Sequence, residues 1–421
     1  MRTFCLLFIS IICSAILFPM NGAEIDGLYY SLSSNGTAKV TYKSLNGDNN
    51  YLQGSVTIPE KVSYNGKEYT VTSIGSQAFR NNTELTEMIL PNTISDIGVN
   101  AFINCSGLIN IDIKEGVKEF GEGVFSNCSG LKEIILPETT ETISSRVFQG
   151  CSSLEFVKLP TDLQIIPLNT FYECVNLKTV ELPSNLQQIG DAAFSHCSSL
   201  ETIILPTELK ILGKSVFSGC SSLVDISLPA SIEEIGNYLF RDCISLKEMY
   251  VPVMGNLMFY GCTGLEKLTV GNNIKEIPIQ SFQDCFNLRY LVIGESVGII
   301  SASLYTSPNL EYIECLCVNP PTINIVYDNI DMFNSGIYDK CILTVPDESL
   351  ELYKTTNPWK NFFNIQSAGV ELPGSDEKNQ INIYNLSGMK VGEVSSGSMM
   401  KLPQGYYIIR TNNESKKILI K

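Results

Sequence analysis

Apolar and polar residues repeat at one fixed interval through the middle of the chain. Phenylalanine recurs every 23 residues, and in seven of eight cases cysteine follows three residues later and leucine three residues after that. Self-similarity at a fixed interval of roughly 20–50 residues is typical of a solenoid, in which each unit stacks on the next. Such a stack exposes an extended surface, which favours binding as its role. The phenylalanines are Phe79, Phe102, Phe125, Phe148, Phe171, Phe194, Phe217 and Phe240, with Asn82 in the first cysteine place.

Each unit predicts one coil with two short strands. In the coil that contains Leu200, the side chains of Leu200, Ile203 and Leu205 are expected to face one way and the residues between them the other. At the end of this segment apolar residues alternate with the period of a strand. Pro206 ends this leading strand because proline has no N–H for a ladder. A second extended segment, 209–212, is expected to run back as a return strand. The Ala/Val-Phe pair that begins each coil is expected to form a brief helical or 3-10 turn.

No coil can bury its apolar side alone, so the coils must stack. Burying one Leu, Ile or Phe gains about 1.5–3 kcal/mol before the entropy cost is subtracted, and only stacking buries several per coil. The pattern predicts about eleven coils, of which the last three begin at Phe259, Phe282 and Leu304. At about 4.8 Å per stacked strand, eleven coils span on the order of 50 Å.

One coil is short. Phe240 and Phe259 are separated by 19 residues, four fewer than the interval elsewhere. Alignment from Pro252 assigns the missing residues to the return strand. We therefore expect an intact leading strand over residues 246–251 and an absent or reduced return strand over residues 252–255.

Composition narrows the class of partner. The 421 residues are 44% hydrophobic, as in globular proteins, and the formal net charge is −15, from 29 Lys and Arg against 44 Asp and Glu. Nucleic-acid backbones and anionic lipid surfaces demand clustered cations, so the charge argues against both. The acidity otherwise serves solubility and selects no ligand.

The N-terminus predicts export. Arg2 precedes an apolar run from residue 4 to residue 18, and small residues then end at Ala23, which is the order of a secretory signal peptide over residues 1–23. The run is too short for a stable membrane span. A lipoprotein processed at Cys13 is the alternative, but the residue before Cys13 is the bulky Ile12. No later segment reaches 18 apolar residues, so we expect no transmembrane segment in the mature chain.

Residues 177–197 carry a resemblance to a known family. They nearly match the phrase Leu-x-x-Ile-x-Leu-Pro-x-x-Leu-x-x-Ile-Gly-x-x-Ala-Phe-x-x-Cys. The phrase resembles the BspA-like (Treponema-type) leucine-rich repeats of bacterial surface proteins that are common in Bacteroidetes. The resemblance implies a leucine-rich repeat solenoid that is mainly β, with repeats over residues 74–316.

Both flanks extend this resemblance. Residues 24–73 resemble the N-terminal cap of such proteins, and Asn65-Gly66 within them predicts a tight β-hairpin turn by its own chemistry. Residues 317–367 resemble the closing cap. Caps are needed because the terminal coils would otherwise leave an open edge and an apolar face in water.

The C-terminal segment forms a separate prediction. Residues 368–378 contain Pro373-Gly374 and are predicted to be a linker. Residues 379–421 predict a small β unit of three alternating strands. This tail resembles the C-terminal sorting domain of the type IX secretion system, although it lacks the usual Pro-Asn-Pro opening, and a purely structural β tail is the alternative. We therefore expect a secreted or cell-surface protein associated with the outer membrane.

The repeated cysteines raise the question of disulfide bonds or a zinc site, but their placement disfavours both. Equivalent residues of stacked coils lie about 4.8 Å apart and point in parallel, which suits neither the Cβ spacing of a disulfide nor the converging ligands of zinc. We interpret the column as small buried apolar residues. Cys317 and Cys341 lie outside it, and a bridge between them across the cap stays open. The column consists of Cys105, Cys128, Cys151, Cys174, Cys197, Cys220, Cys243, Cys262 and Cys285.

No catalytic motif is apparent in the sequence. His196 is the only histidine, and it is expected to face outward while the adjacent Cys197 faces the core, so the two cannot form a nucleophilic dyad. The sequence shows no Gly-rich phosphate loop, metal cluster or Ser/His/Asp set. We expect a chain without catalytic residues, cofactor or metal, and not an enzyme.

Two functions remain. The chain either binds a macromolecule through its exposed sheet or serves as a spacer of the cell envelope without a specific ligand. A spacer would carry polar residues throughout its exposed strands, whereas apolar residues interrupt them here and favour contact, although β propensity also selects such residues. These are Ile89, Ile109, Ile135, Phe156, Ile204, Val224, Tyr250, Tyr290, Val292 and Tyr312.

The resemblance implies adhesion to host matrix or to other bacteria, with a protein or a glycan as partner. Capture of a glycan or peptide for nutrition would use the same surface. The aromatic residues of the exposed rows are Phe156, Tyr250, Tyr290 and Tyr312. We expect the three tyrosines to carry much of the affinity, since a few aromatic anchors dominate such interfaces. We expect the charged residues Glu248, Lys267 and Arg289 to set orientation.

Overall fold

The computed structural model describes residues 22–43, 52–301, 304–324 and 332–367, and the backbone of four strands between residues 380 and 420. The chain divides into two compact units, Met1–Gln366 and Ser367–Lys421. Residues 1–21 of the predicted signal peptide and the predicted linker, 368–378, lie outside the described residues.

The first unit begins with a β cap that starts both sheets of the solenoid. Its hairpin has the predicted Asn65-Gly66 turn, and φ is 50° at Asn65 and 79° at Gly66, as a two-residue turn between antiparallel strands requires. The prediction of this hairpin is confirmed. The strands are β1 (Ala23–Ile25), β2 (Leu28–Leu32), β3 (Thr37–Thr41), β4 (Gly54–Thr57), β5 (Lys61–Tyr64) and β6 (Lys67–Ile74).

In most regular coils a leading strand and a two-residue return strand lie in separate parallel sheets over a shared core. The coils that begin at Phe194 and Phe217 have no leading strand and are joined on that side only by the bridge between Thr202 and Asp225, so the leading strand predicted in the coil that contains Leu200 is wrong. Residues one interval apart are Cα partners, so the register follows the repeat; Glu119, for example, pairs with Thr142. The strands are β7 (Leu85–Ile89), β8 (Asp96–Ile97), β9 (Asn110–Asp112), β10 (Glu119–Phe120), β11 (Glu133–Ile135), β12 (Thr142–Ile143), β13 (Phe156–Lys158), β14 (Ile165–Ile166), β15 (Thr179–Glu181), β16 (Gln188–Ile189), β17 (Ile211–Leu212), β18 (Glu234–Ile235), β19 (Glu248–Val251), β20 (Lys267–Val270), β21 (Glu276–Ile277), β22 (Tyr290–Ile293), β23 (Ile299–Ile300), β24 (Tyr312–Cys315) and β25 (Thr322–Ile323).

The turn that begins each coil has the i→i+3 hydrogen bonds of a 3-10 helix. The Cys105 N–H donates to the Phe102 carbonyl at 3.1 Å, and the Phe102 N–H donates to Val124 O of the next coil at 2.9 Å. The phenylalanine rings stack in a column from Phe79 to Phe259, with neighbouring centroids 4.9–5.8 Å apart. The predicted short turn is therefore present, and it forms a third hydrogen-bonded side of the stack.

The cysteine column is buried, and its thiols are free. Each thiol also donates a hydrogen bond to a phenylalanine carbonyl of the preceding coil, as Cys128 Sγ does to Phe102 O at 3.1 Å. Burial raises the pKa of the Cys151 thiol to about 12. The cysteines thus fill the core as predicted, and each adds a second hydrogen bond to a phenylalanine carbonyl that also accepts a backbone N–H.

The short coil has the predicted form. Its leading strand β19 is intact, and residues 252–255 form no strand, so the return sheet stops at β18 and resumes at β21. A second break in the return sheet separates β12 from β14. At that break Pro167 takes the place where Gly190 donates its N–H to Ile166 O at 2.7 Å in the following coil. Proline has no N–H to give, which explains the break.

The C-terminal cap closes the core with aromatic residues. The Tyr353 hydroxyl donates to Cys317 O at 2.9 Å, and Trp359 Nε1 donates to Pro321 O at 3.0 Å. Cys317 and Cys341 are free thiols, and Cys317 Sγ donates to Gly294 O at 3.1 Å, so no bridge joins them. The elements are α1 (Ser335–Lys340), β26 (Ile342–Val345), a 3-10 helix (Asp347–Ser349), α2 (Leu350–Thr355), a 3-10 helix (Trp359–Asn361) and β27 (Asn364–Ser367).

The second unit is an antiparallel sheet of four strands in the order β29-β28-β30-β31. The prediction of three strands was wrong in number. Residues 381–391 contain two strands that pair antiparallel, so the chain reverses direction within that segment. The strands are β28 (Gln380–Asn385), β29 (Lys390–Ser395), β30 (Gly405–Arg410) and β31 (Ser415–Ile420).

Candidate partner-binding surface

The outer face of the leading strands carries three rows of side chains. Row one is the residue after the leading leucine, row two is the next residue, and row three lies between the two apolar residues that follow. Ile204 shows the pattern, because it is 87% exposed while Ile203 and Leu205 on either side are buried. The prediction of which residues face outward is confirmed.

The C-terminal part of this face is the most extensive. Here the leading strands form a six-stranded sheet in the order β19-β20-β22-β24-β26-β27, whereas the described leading strands nearer the N-terminus form sheets of only three. The strands β19, β20, β22 and β24 also have four residues each, against three in β11, β13 and β15. This region therefore offers the longest ordered part of the outer face.

Tyr290 and Tyr312 lie together in row two. They are Cα partners on β22 and β24, and their rings stack with centroids 5.1 Å apart and planes 2° apart. Neighbouring strands place equivalent residues about 4.8 Å apart, so the two rings stand side by side as the backbone spacing dictates. Tyr290 is 37% exposed and Tyr312 is 42% exposed. Each ring covers one face of the other.

Charged side chains border the tyrosine pair. Arg289 donates to both carboxylate oxygens of Glu311, at 2.9 and 2.8 Å, and its guanidinium lies 5.7 Å from the Tyr290 ring centroid. The Glu311 carboxylate raises the pKa of Arg289 through these bonds. Lys247 pairs with Glu266 at 3.0 Å in the same row. Exposed pairs contribute only about 0–1 kcal/mol each, so their main effect is to hold side chains in place.

The remaining residues of the predicted site lie at different distances from this pair. Glu248 and Lys267 form an ion pair at 3.8 Å and continue row two from Tyr290 across β20 to β19. Tyr250 belongs to row three of β19 and extends over Gly271, where an added Cβ would come within 3.0 Å of its hydroxyl. Phe156 lies in the separate sheet β11-β13-β15 and is half-buried. The structure thus brings together all the predicted residues except Phe156.

Sequence reasoning missed several neighbours of the tyrosine pair. Ile342 on β26 is the Cα partner of Tyr312 and extends row two beyond the eleventh coil. Its strand alternates half-buried and buried residues up to Pro346, as the leading strands do, although in sequence this segment resembles only the closing cap. Asn309 and Glu311 line a shallow polar groove beside Arg289. Asn309 Nδ2 donates to Phe286 O at 2.9 Å and so holds the rim of that groove.

The described residues show no arrangement for metal binding. No group of three or more His, Cys, Asp or Glu side chains converges among them. His196 is exposed with φ of 61°, whereas the buried Cys197 thiol donates to Phe171 O at 3.2 Å, so the two side chains face apart. Among the same residues, helices of the length and apolarity needed to cross a membrane are absent.

Parallel two-sheet coils, each opened by a buried leucine-led strand, define a leucine-rich repeat protein. The chain belongs to the BspA-type family of these proteins, because the family model described as BspA type Leucine rich repeat region matches residues 55–177, 141–255 and 250–334. The model described as Secretion system C-terminal sorting domain matches residues 356–421. The repeats and the sorting domain together make this a secreted or cell-surface protein.

Solved structures agree with this assignment. A leucine-rich repeat protein from Bacteroides ovatus is 27% identical with a TM-score of 0.50, over 82% of this chain and 100% of that chain. A leucine rich cell surface protein from Faecalibacterium prausnitzii is 23% identical with a TM-score of 0.50, over 83% of this chain and 95% of that chain, and shows the fold alone. No curated protein matches the chain.

Proposed function

We propose that this protein binds a macromolecular partner outside the cell through the outer face of the leading sheet between β19 and β26. The partner class that the surface favours is a protein on host matrix or on other cells, in an adhesion-type interaction. The main observation in support of this proposal is the stacked, exposed pair Tyr290 and Tyr312 within the longest ordered part of that face.

The energetic argument rests on aromatic anchors. In protein interfaces a few residues carry most of the affinity, and tyrosine is among the enriched types. Tyr290 and Tyr312 hold each other upright, so little side-chain entropy remains to be lost when a partner binds. Tyr250 supplies a third exposed ring, 57% exposed, at the other side of the surface.

The charged residues supply orientation in this proposal. Arg289 is held by Glu311 in a bidentate pair, and Lys267 is held by Glu248. Charges at an interface rim steer the partner and fix its register more than they add affinity. Rows about 4.8 Å apart let an extended partner touch several strands at once.

The face-to-face stacking favours a protein over a glycan. Sugars pack on open ring faces, whereas Tyr290 and Tyr312 each cover one face of the other. Glycan binding remains an outcome that the experiment distinguishes. The spacer alternative has less support, since Tyr250, Ile135 and Ile204 are each more than half exposed on the outer face.

The test compares two triple variants of the full chain. The first carries Tyr250→Ser, Tyr290→Ser and Tyr312→Ser. Its binding to wells coated with matrix extract is expected to fall at least about thirty-fold, equivalent to losing one hot spot of about 2 kcal/mol. Enzymatic removal of glycans from the extract separates a glycan partner from a protein partner.

The matched control carries Ile135→Ser, Ile204→Ser and Val224→Ser on the same face nearer the N-terminus, where these residues are exposed to 57%, 87% and 48%. Its binding should equal that of the wild type, and both variants should keep the wild-type melting curve. Unchanged binding by the folded tyrosine variant would move the site to the caps or the return sheet. Protease treatment of intact cells, against a periplasmic control protein, tests that this face is reachable from outside.

A further inference from the structure

The short coil leaves an opening in the return sheet. The strands β18 and β21 belong to coils on either side of the short coil, and no return strand lies between them. We call this opening, bordered by β18 and β21 and floored by residues 252–255, the notch. Four residues are missing, so the absent strand would span roughly 13 Å at about 3.3 Å per residue.

One border of the notch exposes hydrogen-bond acceptors. In the regular coils the return strand of the next coil donates to these carbonyls, as Glu233 N–H does to Lys210 O at 2.9 Å and Gly236 N–H does to Leu212 O at 2.8 Å. One coil further on, the corresponding carbonyls are those of Glu233 and Ile235. Residues 252–255 donate no backbone hydrogen bond to either of them within the described part of the chain.

The other border exposes donors. The Gly298 and Ile299 N–H groups donate to Lys275 O, at 2.9 and 3.3 Å. The equivalent groups one coil earlier are the N–H groups of Lys275 and Glu276, which have no backbone acceptor on the described residues of the short coil. The two borders therefore have the polarity that a parallel guest strand needs on both sides.

The floor of the notch is apolar and firmly seated. Val253 and Met254 are half-buried and pack against the core. Gly255 packs closely on Gly236 of the preceding coil, since a Cβ added to Gly255 would lie 2.7 Å from Gly236 O. A guest strand would cover the two half-buried side chains without displacing them.

The charged side chains that border the notch favour a guest strand with a positive charge. Glu234 on β18 and Glu276 on β21 occupy the same outward row, one on each side of the missing strand, and both are exposed. A guest side chain in that row would lie about 4.8 Å from each strand, between the two carboxylates. The other charges on the rim are Lys275 and Glu233, and Glu233 already faces Lys210 at 3.6 Å.

We propose that the notch binds an extended peptide segment of a partner protein as a parallel guest strand. An apolar residue of the guest faces Val253 and Met254, and a lysine or arginine lies between Glu234 and Glu276. Peptide binding by strand addition takes its affinity from main-chain hydrogen bonds and its specificity from alternate side chains. The notch lies on the return sheet, so this proposal does not depend on the tyrosine surface.

The probe is a fluorescent peptide, Ser-Leu-Thr-Lys-Ile-Gly, which follows the return-strand pattern with lysine at the acidic row. Its fluorescence anisotropy is measured against the purified full chain. Binding is expected, and a peptide with glutamate in place of lysine should bind about five-fold more weakly or worse, because exposed ion pairs are worth up to about 1 kcal/mol. High salt should reduce this difference. No binding at millimolar peptide would overturn the proposal.

Two chain variants locate the binding. Replacing Val253 and Met254 with a copy of residues 230–235 restores the 23-residue interval and should abolish binding, since the sheet then supplies its own strand. Glu276→Lys should weaken binding about five-fold, while Glu119→Lys, in the same row of an unbroken part of the sheet, should leave it unchanged. Equal binding by Glu276→Lys and Glu119→Lys would overturn the proposal, even if the filled variant does not fold.

Discussion

The regular coil that begins at Phe194 and the short coil that begins at Phe240 share the core columns but differ in their strands. The regular coil has the return strand β17 and only a bridge at Thr202 on its leading side, whereas the short coil has the leading strand β19 and no return strand. In both, the phenylalanine ring stacks on its two neighbours, with centroids 5.1 and 5.8 Å away for Phe194 and 5.7 Å away on both sides for Phe240. The thiol after the short coil still reaches the preceding phenylalanine carbonyl, since Cys262 Sγ donates to Phe240 O at 2.9 Å. The return side of the coil can therefore lose residues while the core columns continue.

The comparison separates two kinds of position. The phenylalanine column and the cysteine column continue through the short coil, whereas the return sheet is broken there and again at Pro167, and the leading sheet is broken between β15 and β19. The stacked core side chains join the short coil to the coils before and after it. The exposed features proposed for binding, the tyrosine pair and the notch, lie on surfaces that the core does not depend on.

The largest expected effect is on the phenylalanine column. Phe240→Ala should destabilise the protein by about 3–5 kcal/mol, as much as Phe194→Ala, because both rings are fully buried between two neighbours. Thermal melting of the two variants measures this. A much smaller loss for Phe240→Ala would mean that the short coil is loosely packed and that the two coils differ in their cores.

Shortening a regular coil should destabilise the protein less than removing a phenylalanine ring. Replacing residues 207–212 with Val-Met copies the short coil into the coil that begins at Phe194 and removes the buried Leu209 and Leu212. The loss should be about 2–3 kcal/mol, since valine and methionine recover part of the burial. Deleting residues 201–204 from the leading side of the same coil, which removes the buried Ile203, is the control, and that chain is expected not to fold. Equal damage from both changes would contradict the dispensable return strand.

The sequence predicts the missing return strand of the short coil, but it predicts less about the proposed binding surface. Strict spacing determines which residue faces the core, so the missing return strand at residues 252–255 follows from counting. Spacing also assigns Tyr290 and Tyr312 to one row, because each lies two residues after its leading leucine. It does not predict which strands pair without interruption, because weak lateral pairing depends on backbone twist and on side chains of both coils.

One regular feature has a sequence signal other than the spacing of apolar residues. Asn104 Nδ2 donates to Asn81 Oδ1 at 2.8 Å, and Asn127 Nδ2 donates to Asn104 Oδ1 at 2.9 Å, which forms an asparagine ladder along the turns. All three residues have φ between 59° and 61°, a region that asparagine and glycine tolerate. The frequent Asn, Asp and Gly two residues after each phenylalanine is the sequence sign of this backbone conformation.

A smaller effect is expected in the cysteine column. Cys174→Ala should cost about 1–2 kcal/mol, from a small cavity and from the lost bond between Cys174 Sγ and Phe148 O, which is 3.1 Å long. Cys174→Ser, which keeps a donor, is the matched control for the hydrogen bond. Mass mapping without reductant should find the nine thiols of the column unpaired. Paired peptides from adjacent coils would contradict the parallel geometry.

A further prediction concerns the dependence of stability on alkaline pH. Burial raises the pKa of the Cys151 thiol from 9.0 to about 12, so the folded chain holds this proton more tightly than the unfolded chain. The stabilisation is complete below pH 9.0 and is lost as the pH rises towards 12. The melting temperature of Cys151→Ala should therefore fall less between these pH values than that of the wild type. An identical decline would assign the alkaline loss to other groups.

Site-specific crosslinking tests the proposed binding surface most directly. The twelve described cysteines are all buried, so an introduced surface cysteine can be labelled selectively in the folded chain. Thr269→Cys lies in row three beside Tyr250, and Glu181→Cys occupies row three nearer the N-terminus. Each is coupled to a photoreactive maleimide and irradiated on matrix extract. We predict covalent adducts with a partner protein from Thr269→Cys and none from Glu181→Cys. Adducts from Glu181→Cys alone, or equal yields from both, would contradict binding at the tyrosine surface.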